Sequence, residues 1–248
     1  MTRVLSLVAV LCLSAGAMAQ SAVPWSYQGK YGPLAWGKLS PAYRICSDGH
    51  EQSPIDIRGA HRNKALQPIE FHYLAGGVTL ENVGYTLEVH VHPGSYIIAA
   101  GTRYNLESFT FHHPGEHAVN GRLTDMDVQL VHKSSDGKVA IVSARFAENP
   151  DAPNATLAGL WQHLPTKPFA TENDPDMVNP GGLLPGNRGY WTYMGSLTTP
   201  PCTEGIRWFV MEQAVPLSTD QLKEFASLFG INSRPLQDKE DRQIEANQ

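Results

Sequence analysis

Apolar and polar residues alternate along most of this chain in short runs, and Gly, Pro, Asn and Asp punctuate them. Such runs read as half-buried strands. Residues 78–83, 85–91, 96–100, 107–112, 128–133, 139–145, 190–197 and 206–215 qualify. Two stretches carry helical spacing instead. Residues 156–163 precede Leu164-Pro165. Residues 219–228 follow the cap Ser218, stop at Gly230 and place Leu222, Phe225, Ala226 and Phe229 on one face. Residues 173–189, rich in Pro, Gly and Asn, read as a long surface loop. No internal repeat or low-complexity segment interrupts the pattern. It predicts a mainly β (α+β) single domain, one mostly antiparallel sheet with peripheral helices.

The N-terminus changes the picture of where the chain works. Arg3 supplies a positive start, residues 4–15 form an apolar run, and Ala17-Met18-Ala19 fits an A-x-A cleavage site. Residues 1–19 read as a signal peptide, and 20–248 as the mature domain. The run is too short to span a bilayer comfortably, and no small residue precedes Cys12 as a lipid anchor would require. The expected location is periplasmic or secreted. Without Arg3 the formal charge moves from −5 to −6. That mild balance argues against nucleic acid and anionic membranes as default partners. Cys12 leaves with the signal, so Cys46 and Cys202 remain, an even count in an oxidising compartment. A bridge and two separate buried thiols both fit that count.

Candidate chemistry sits in residues 109–132. They read F-T-F-H-H-P-G-E-H, then A-V-N-G-R-L-T-D, then M-D-V-Q-L-V-H. This resembles the zinc-binding core of the α-class carbonic anhydrases, Q-F-H-F-H-x-P-S-E-H followed by E-L-H-L-V-H. Further matches follow in order. They are Trp25-Ser26-Tyr27, Gln52-Ser53-Pro54-Ile55-Asp56-Ile57, Trp191-Thr192-Tyr193, Ser196-Leu197-Thr198-Thr199-Pro200-Pro201, and Asn232 with Arg234-Pro235-Leu236-Gln237. The resemblance covers nearly all of the mature chain. It implies a central twisted sheet of about ten strands with a conical cleft on it. It also implies a Cys46–Cys202 disulfide, closing a loop of roughly 150 residues, worth ~3–5 kcal/mol on the chain-entropy model.

Hydrating carbon dioxide at neutral pH needs a hydroxide. Zinc on three neutral imidazoles supplies one by lowering the pKa of its bound water to about 7. At the three ligand positions implied by the resemblance, this chain carries Thr110, His112 and Gln129. Threonine is a poor zinc ligand, and a Gln carbonyl is a hard donor suited to other cations. The residues that orient the outer two ligands have changed as well, to Ser108 and Asp127. Zinc is therefore expected to be absent or weakly bound. Glu116 and Thr198 match the pair that orients the zinc-bound hydroxide. Val131, Ile141, Leu197, Tyr193 and Thr199 fall where the family lines its pocket, with His117 and Tyr193 as buried network members. Tyr85 stands at the proton-shuttle position, a poor shuttle for a group with a pKa near 10. His90 and His92, with Glu88, offer a relocated metal site as a lesser alternative.

Two functions follow from the resemblance. One is an exported family member without efficient carbon dioxide hydration, its cleft kept as a binding module for an unknown glycan or protein. The other is an active or weakly active carbonic anhydrase with an atypical zinc site, handling carbon dioxide, bicarbonate or another small anion.

Overall fold

The computed structural model describes residues 24–247, so the expected signal segment 1–19 lies outside the described residues. Among the described residues, ten strands cross one sheet. Their order is Thr171–Val178, Gly76–Asn82, Leu87–Val91, Thr102–His112, Met126–Ser134, Val139–Glu148, Glu204–Met211, Tyr190–Ser196, Glu245–Ala246 and His61–Arg62. Glu70–His72, Tyr96–Ala99 and Val215–Leu217 pair off that path, which brings the sheet to 13 strands. Most pairs are antiparallel, while Val139–Glu148 runs parallel to both Glu204–Met211 and Val215–Leu217. The alternating runs in the sequence become strands because each has one face against a core and one against a cleft or solvent.

Residues 173–189 do not form the expected surface loop. Thr171–Val178 pairs antiparallel with Gly76–Asn82, and Pro180–Leu183 makes a 3-10 turn with Leu183 and Leu184 buried. The register of this edge strand breaks between Asp174 and Val178. The stretch 206–215 also divides, into Glu204–Met211 and Val215–Leu217.

Both predicted helices are present, as Ala155–Gln162 and Thr219–Phe229. Ser218 and Gln221 cap the second reciprocally, each side chain accepting from the other's backbone N–H. Asn154 caps the first, its Oδ1 accepting from the N–H groups of Thr156 and Leu157. Leu157, Leu160, Trp161 and Phe225 cover one face of the sheet and close the main core over Phe109, Phe111, Leu130, Val142 and Phe209.

The register decides what faces the other way. Glu88 lies opposite Thr110, Thr110 opposite Gln129, and Gln129 opposite Ser143. Opposed residues share a face. A register shift between Leu106 and Ser108 acts like a bulge. It turns Leu106 into the core and lets Ser108, Thr110 and His112 face the cleft. The Cys46–Cys202 disulfide is formed, with Cα atoms 5.1 Å apart, and packs with Trp36 and Tyr43.

Candidate functional site

His112 is 2 % exposed, and its Nδ1 lies 2.9 Å from the Asn232 carbonyl oxygen. A carbonyl only accepts, so Nδ1 carries the hydrogen, and in the neutral ring Nε2 is left as an acceptor. Thr110 Oγ1 lies 3.3 Å from that Nε2 and donates to it. Asn232 is itself held firmly. Its Nδ2 donates to the carbonyls of Tyr85 and Phe111, and its Oδ1 accepts from His113 N–H.

Gln129 comes from the neighbouring strand and does not aim a carbonyl at His112. Its Nε2 donates to Glu116 Oε2 at 2.6 Å. A carboxylate oxygen as acceptor sets the orientation of the amide. The other oxygen of Glu116 accepts from Arg234 N–H at 2.8 Å. Both oxygens of this buried carboxylate are therefore used. Among the described residues, no hydrogen bond joins Glu116 to Thr198, the pair the resemblance leads one to expect. Gln129 supplies the side-chain donor to Glu116 instead.

Asp127 is fully buried. Its Oδ2 accepts from Ser143 Oγ at 3.2 Å and from Glu116 N–H at 3.3 Å, while Oδ1 has no partner among the described residues. Burial, with Glu116 nearby, pushes its pKa up to about 7 against the opposing pull of His112.

This donor set does not fit zinc. The Thr110 hydroxyl donates to His112, and the Gln129 amide donates to Glu116. The His112 lone pair is thus the acceptor of a hydrogen bond rather than one of three convergent ligands. His90 and His92 do not replace them. His90 is exposed, with Nε2 3.3 Å from Glu81 Oε2, and His92 lies beyond the end of Leu87–Val91. Among the described residues, no group of three or more His, Cys, Asp or Glu is placed to hold a metal.

The remaining expected residues divide between rim and floor. The Tyr85 ring centroid lies 4.4 Å from that of Trp25 and 6.0 Å from that of Tyr27. Burial first, then Glu88 and Glu81, push its pKa up to about 12. A group so placed keeps its proton at neutral pH. Val131, Ile141 and Leu197 pack in the cluster of Tyr193 and Trp208, so the pocket floor is continuous with a second core. Tyr193 OH lies 2.6 Å from His117 Nε2 and 2.9 Å from Ser53 Oγ. Burial holds the His117 pKa down to about 3. Thr198 is buried, and Thr199 accepts Cys202 N–H through its carbonyl.

The sequence marked Asn232 and Arg234 as motif residues but not their roles. Asn232 fixes the tautomer of His112 from 120 residues away, and the Arg234 backbone holds Glu116. Ser143 carried no signal at all.

Comparison with known proteins agrees with this fold. The family model described as eukaryotic-type carbonic anhydrase matches residues 31–248. A carbonic anhydrase of Pectobacterium carotovorum is 36 % identical over 234 residues, covering 94 % of this chain and 95 % of its own. The α-carbonic anhydrase of Thermovibrio ammonificans, solved with the inhibitor sulfanilamide, superposes with a TM-score of 0.87. It is 36 % identical, covering 90 % of this chain and 99 % of its own. Dioscorin complexed with ascorbate gives a TM-score of 0.84 at 31 % identity, covering 90 % of this chain and 97 % of its own. With the fold and the family match in agreement, the chain belongs to the eukaryotic-type, or α-class, carbonic anhydrase family.

Proposed function

We propose that this family member has lost efficient zinc-dependent hydration of carbon dioxide and keeps its cleft as a binding module. The family is zinc-dependent, and the observation that carries the proposal is the bond from Gln129 Nε2 to Glu116 Oε2. It spends a ligand position as a hydrogen-bond donor. It also engages the carboxylate that would otherwise hold the hydroxide-orienting threonine. Thr110 is spent in the same way on His112. Tyr85, packed among aromatic rings, cannot relay protons at neutral pH. The dioscorin solved with ascorbate shows this fold holding a small organic molecule, which supports a small-molecule or glycan ligand here. We place the protein in the periplasm or outside the cell. The signal-like residues 1–19 support this, as does a Cys46–Cys202 disulfide suited to an oxidising compartment.

One observation favours a second reading, a weakly active enzyme with an atypical zinc site. The Asn232 carbonyl still fixes His112 with Nε2 free of the backbone, the tautomer a metal ligand needs. Elemental analysis after dialysis, with stopped-flow carbon dioxide hydration on the same sample, decides between them. Well under one zinc per chain and no hydration above buffer are expected. One zinc per chain with rapid turnover overturns the proposal.

A further inference from the structure

A second cavity opens on the face of the sheet opposite the cleft. Tyr193 and Trp208 pack in the cleft-side cluster, whereas Tyr190 and Phe209, alternating with them on the same two strands, pack in the main core. The cavity holds about 260 Å³ and is lined in part by Tyr104, Tyr190, Thr192, Arg207, Phe209 and Glu245. At ~30 Å³ of liquid volume per water, it is roomy enough for a molecule of leucine's size.

Its chemistry is unusual for a surface dent. The floor is aromatic and rigid. Tyr190 and Phe209 meet edge to face with ring centroids 5.3 Å apart, and Tyr190 OH is fixed by donating to the Gln67 carbonyl at 2.7 Å. Two opposite charges flank this floor. The half-buried Arg207 guanidinium makes no hydrogen bond or ion pair among the described residues, and its register partners, Met194 and Ala140, offer none. Glu245 is half-buried and accepts from Asn63 Nδ2 at 2.7 Å. No ion pair joins Glu245 to Arg207. Both nevertheless act on the Tyr190 phenol, which burial raises most, Glu245 raises further and Arg207 lowers. Thr192 lies in register between Phe209 and Glu245, and its hydroxyl is buried without a partner among the described residues. A buried hydroxyl left unpaired is rare enough to call for a reason.

We propose that this cavity binds a free α-amino acid with an apolar side chain. Arg207 takes the carboxylate, Glu245 takes the ammonium, and the side chain lies over Tyr190 and Phe209. A simple carboxylate would face Glu245 as a like charge, and a simple amine would meet Arg207 in the same way. A ligand carrying both charges gives each pole a counter-charge. A polar atom of the ligand reaching the floor would also give the Thr192 hydroxyl its missing partner.

The test is calorimetric titration of the mature, disulfide-bonded protein with L-leucine as the probe. Saturable one-to-one binding is expected. N-acetyl-L-leucine lacks the ammonium and L-leucinamide lacks the carboxylate, so each should bind at least about 10-fold more weakly, the factor for one lost charge contact. Arg207→Gln and Glu245→Gln should each weaken L-leucine by a similar factor, with folding checked by circular dichroism. The two analogues test the charge requirement on unmutated protein even if a variant misfolds. No saturation at about 20 mM L-leucine, far weaker than the mM range of poor specific binding, overturns the proposal. Equal binding of leucine and either analogue overturns it too.

Discussion

Replacing Gln129 is the sharpest probe of the cleft. Gln129→Ala removes the 2.6 Å donor to Glu116 Oε2 and leaves that oxygen without a partner on a side chain 1 % exposed. A hydrogen bond to a charged group contributes about 1.5–3 kcal/mol. Truncating a large side chain that is 4 % exposed adds a cavity term, for a total loss of about 3–5 kcal/mol. That is a large share of the ~5–15 kcal/mol that holds a typical domain folded. Urea denaturation at pH 7.5 with a metal chelator should show the midpoint falling at unchanged slope. Gln129→Glu keeps the shape but sets a second carboxylate against the first. Two carboxylates in contact cannot both ionise, so one is held above its unfolded pKa of about 4.3. A raised acid pKa gives stability that is present at low pH and lost as pH rises through that window. The Glu variant should therefore approach wild type near pH 4 and fall progressively by pH 8. A loss under about 1 kcal/mol for the Ala variant would falsify the donor role, which rests on the usual strength of such a bond. So would a Glu variant whose deficit does not change with pH.

The remaining predictions concern the metal site, acid stability and the disulfide. Thr110→His with Gln129→His should rebuild three imidazoles around His112 and free Glu116 for Thr198. Tight zinc binding and stopped-flow hydratase activity should then appear only in the double variant, and Tyr85→His should raise the rate further in weak buffer. Burial holds His117 and His132 down to about 3, so the unfolded chain takes two protons near pH 6.5 that the folded chain refuses. Asp127, raised to about 7, opposes with one. Stability should fall by about 1.4 kcal/mol per unit as pH drops from ~6 to ~4, and about twice as steeply in Asp127→Asn, as urea midpoints against pH will show. The disulfide joins residues 156 apart, so reducing it should cost about 5 kcal/mol on the chain-entropy model, and mass spectrometry of the unreduced protein should find two hydrogens missing.

Much of the fold was legible in the sequence because it rests on local rules. Period-two alternation marked the central strands, Ser218 and Gly230 bracketed the last helix, and the ordered motifs gave the family. The identities at the ligand positions implied by the resemblance, Thr110, His112 and Gln129, could also be read directly. Tertiary structure decided the rest. The edge strand Thr171–Val178 exists because Gly76–Asn82 offers it backbone partners, and no local signal in its Pro- and Asn-rich sequence announces that. The register shift before Ser108 chooses which side chains enter the cleft. Gln129 looks from sequence like a failed ligand. Only the folded chain brings Glu116, 13 residues away, within 2.6 Å and makes it a donor. Asn232 on His112 and Arg207 with Glu245 across the far cavity are likewise pairings of distant segments. Side-chain chemistry is written residue by residue, but a hydrogen bond depends on distance and direction, and those are fixed only when strands far apart in the chain pack into one sheet.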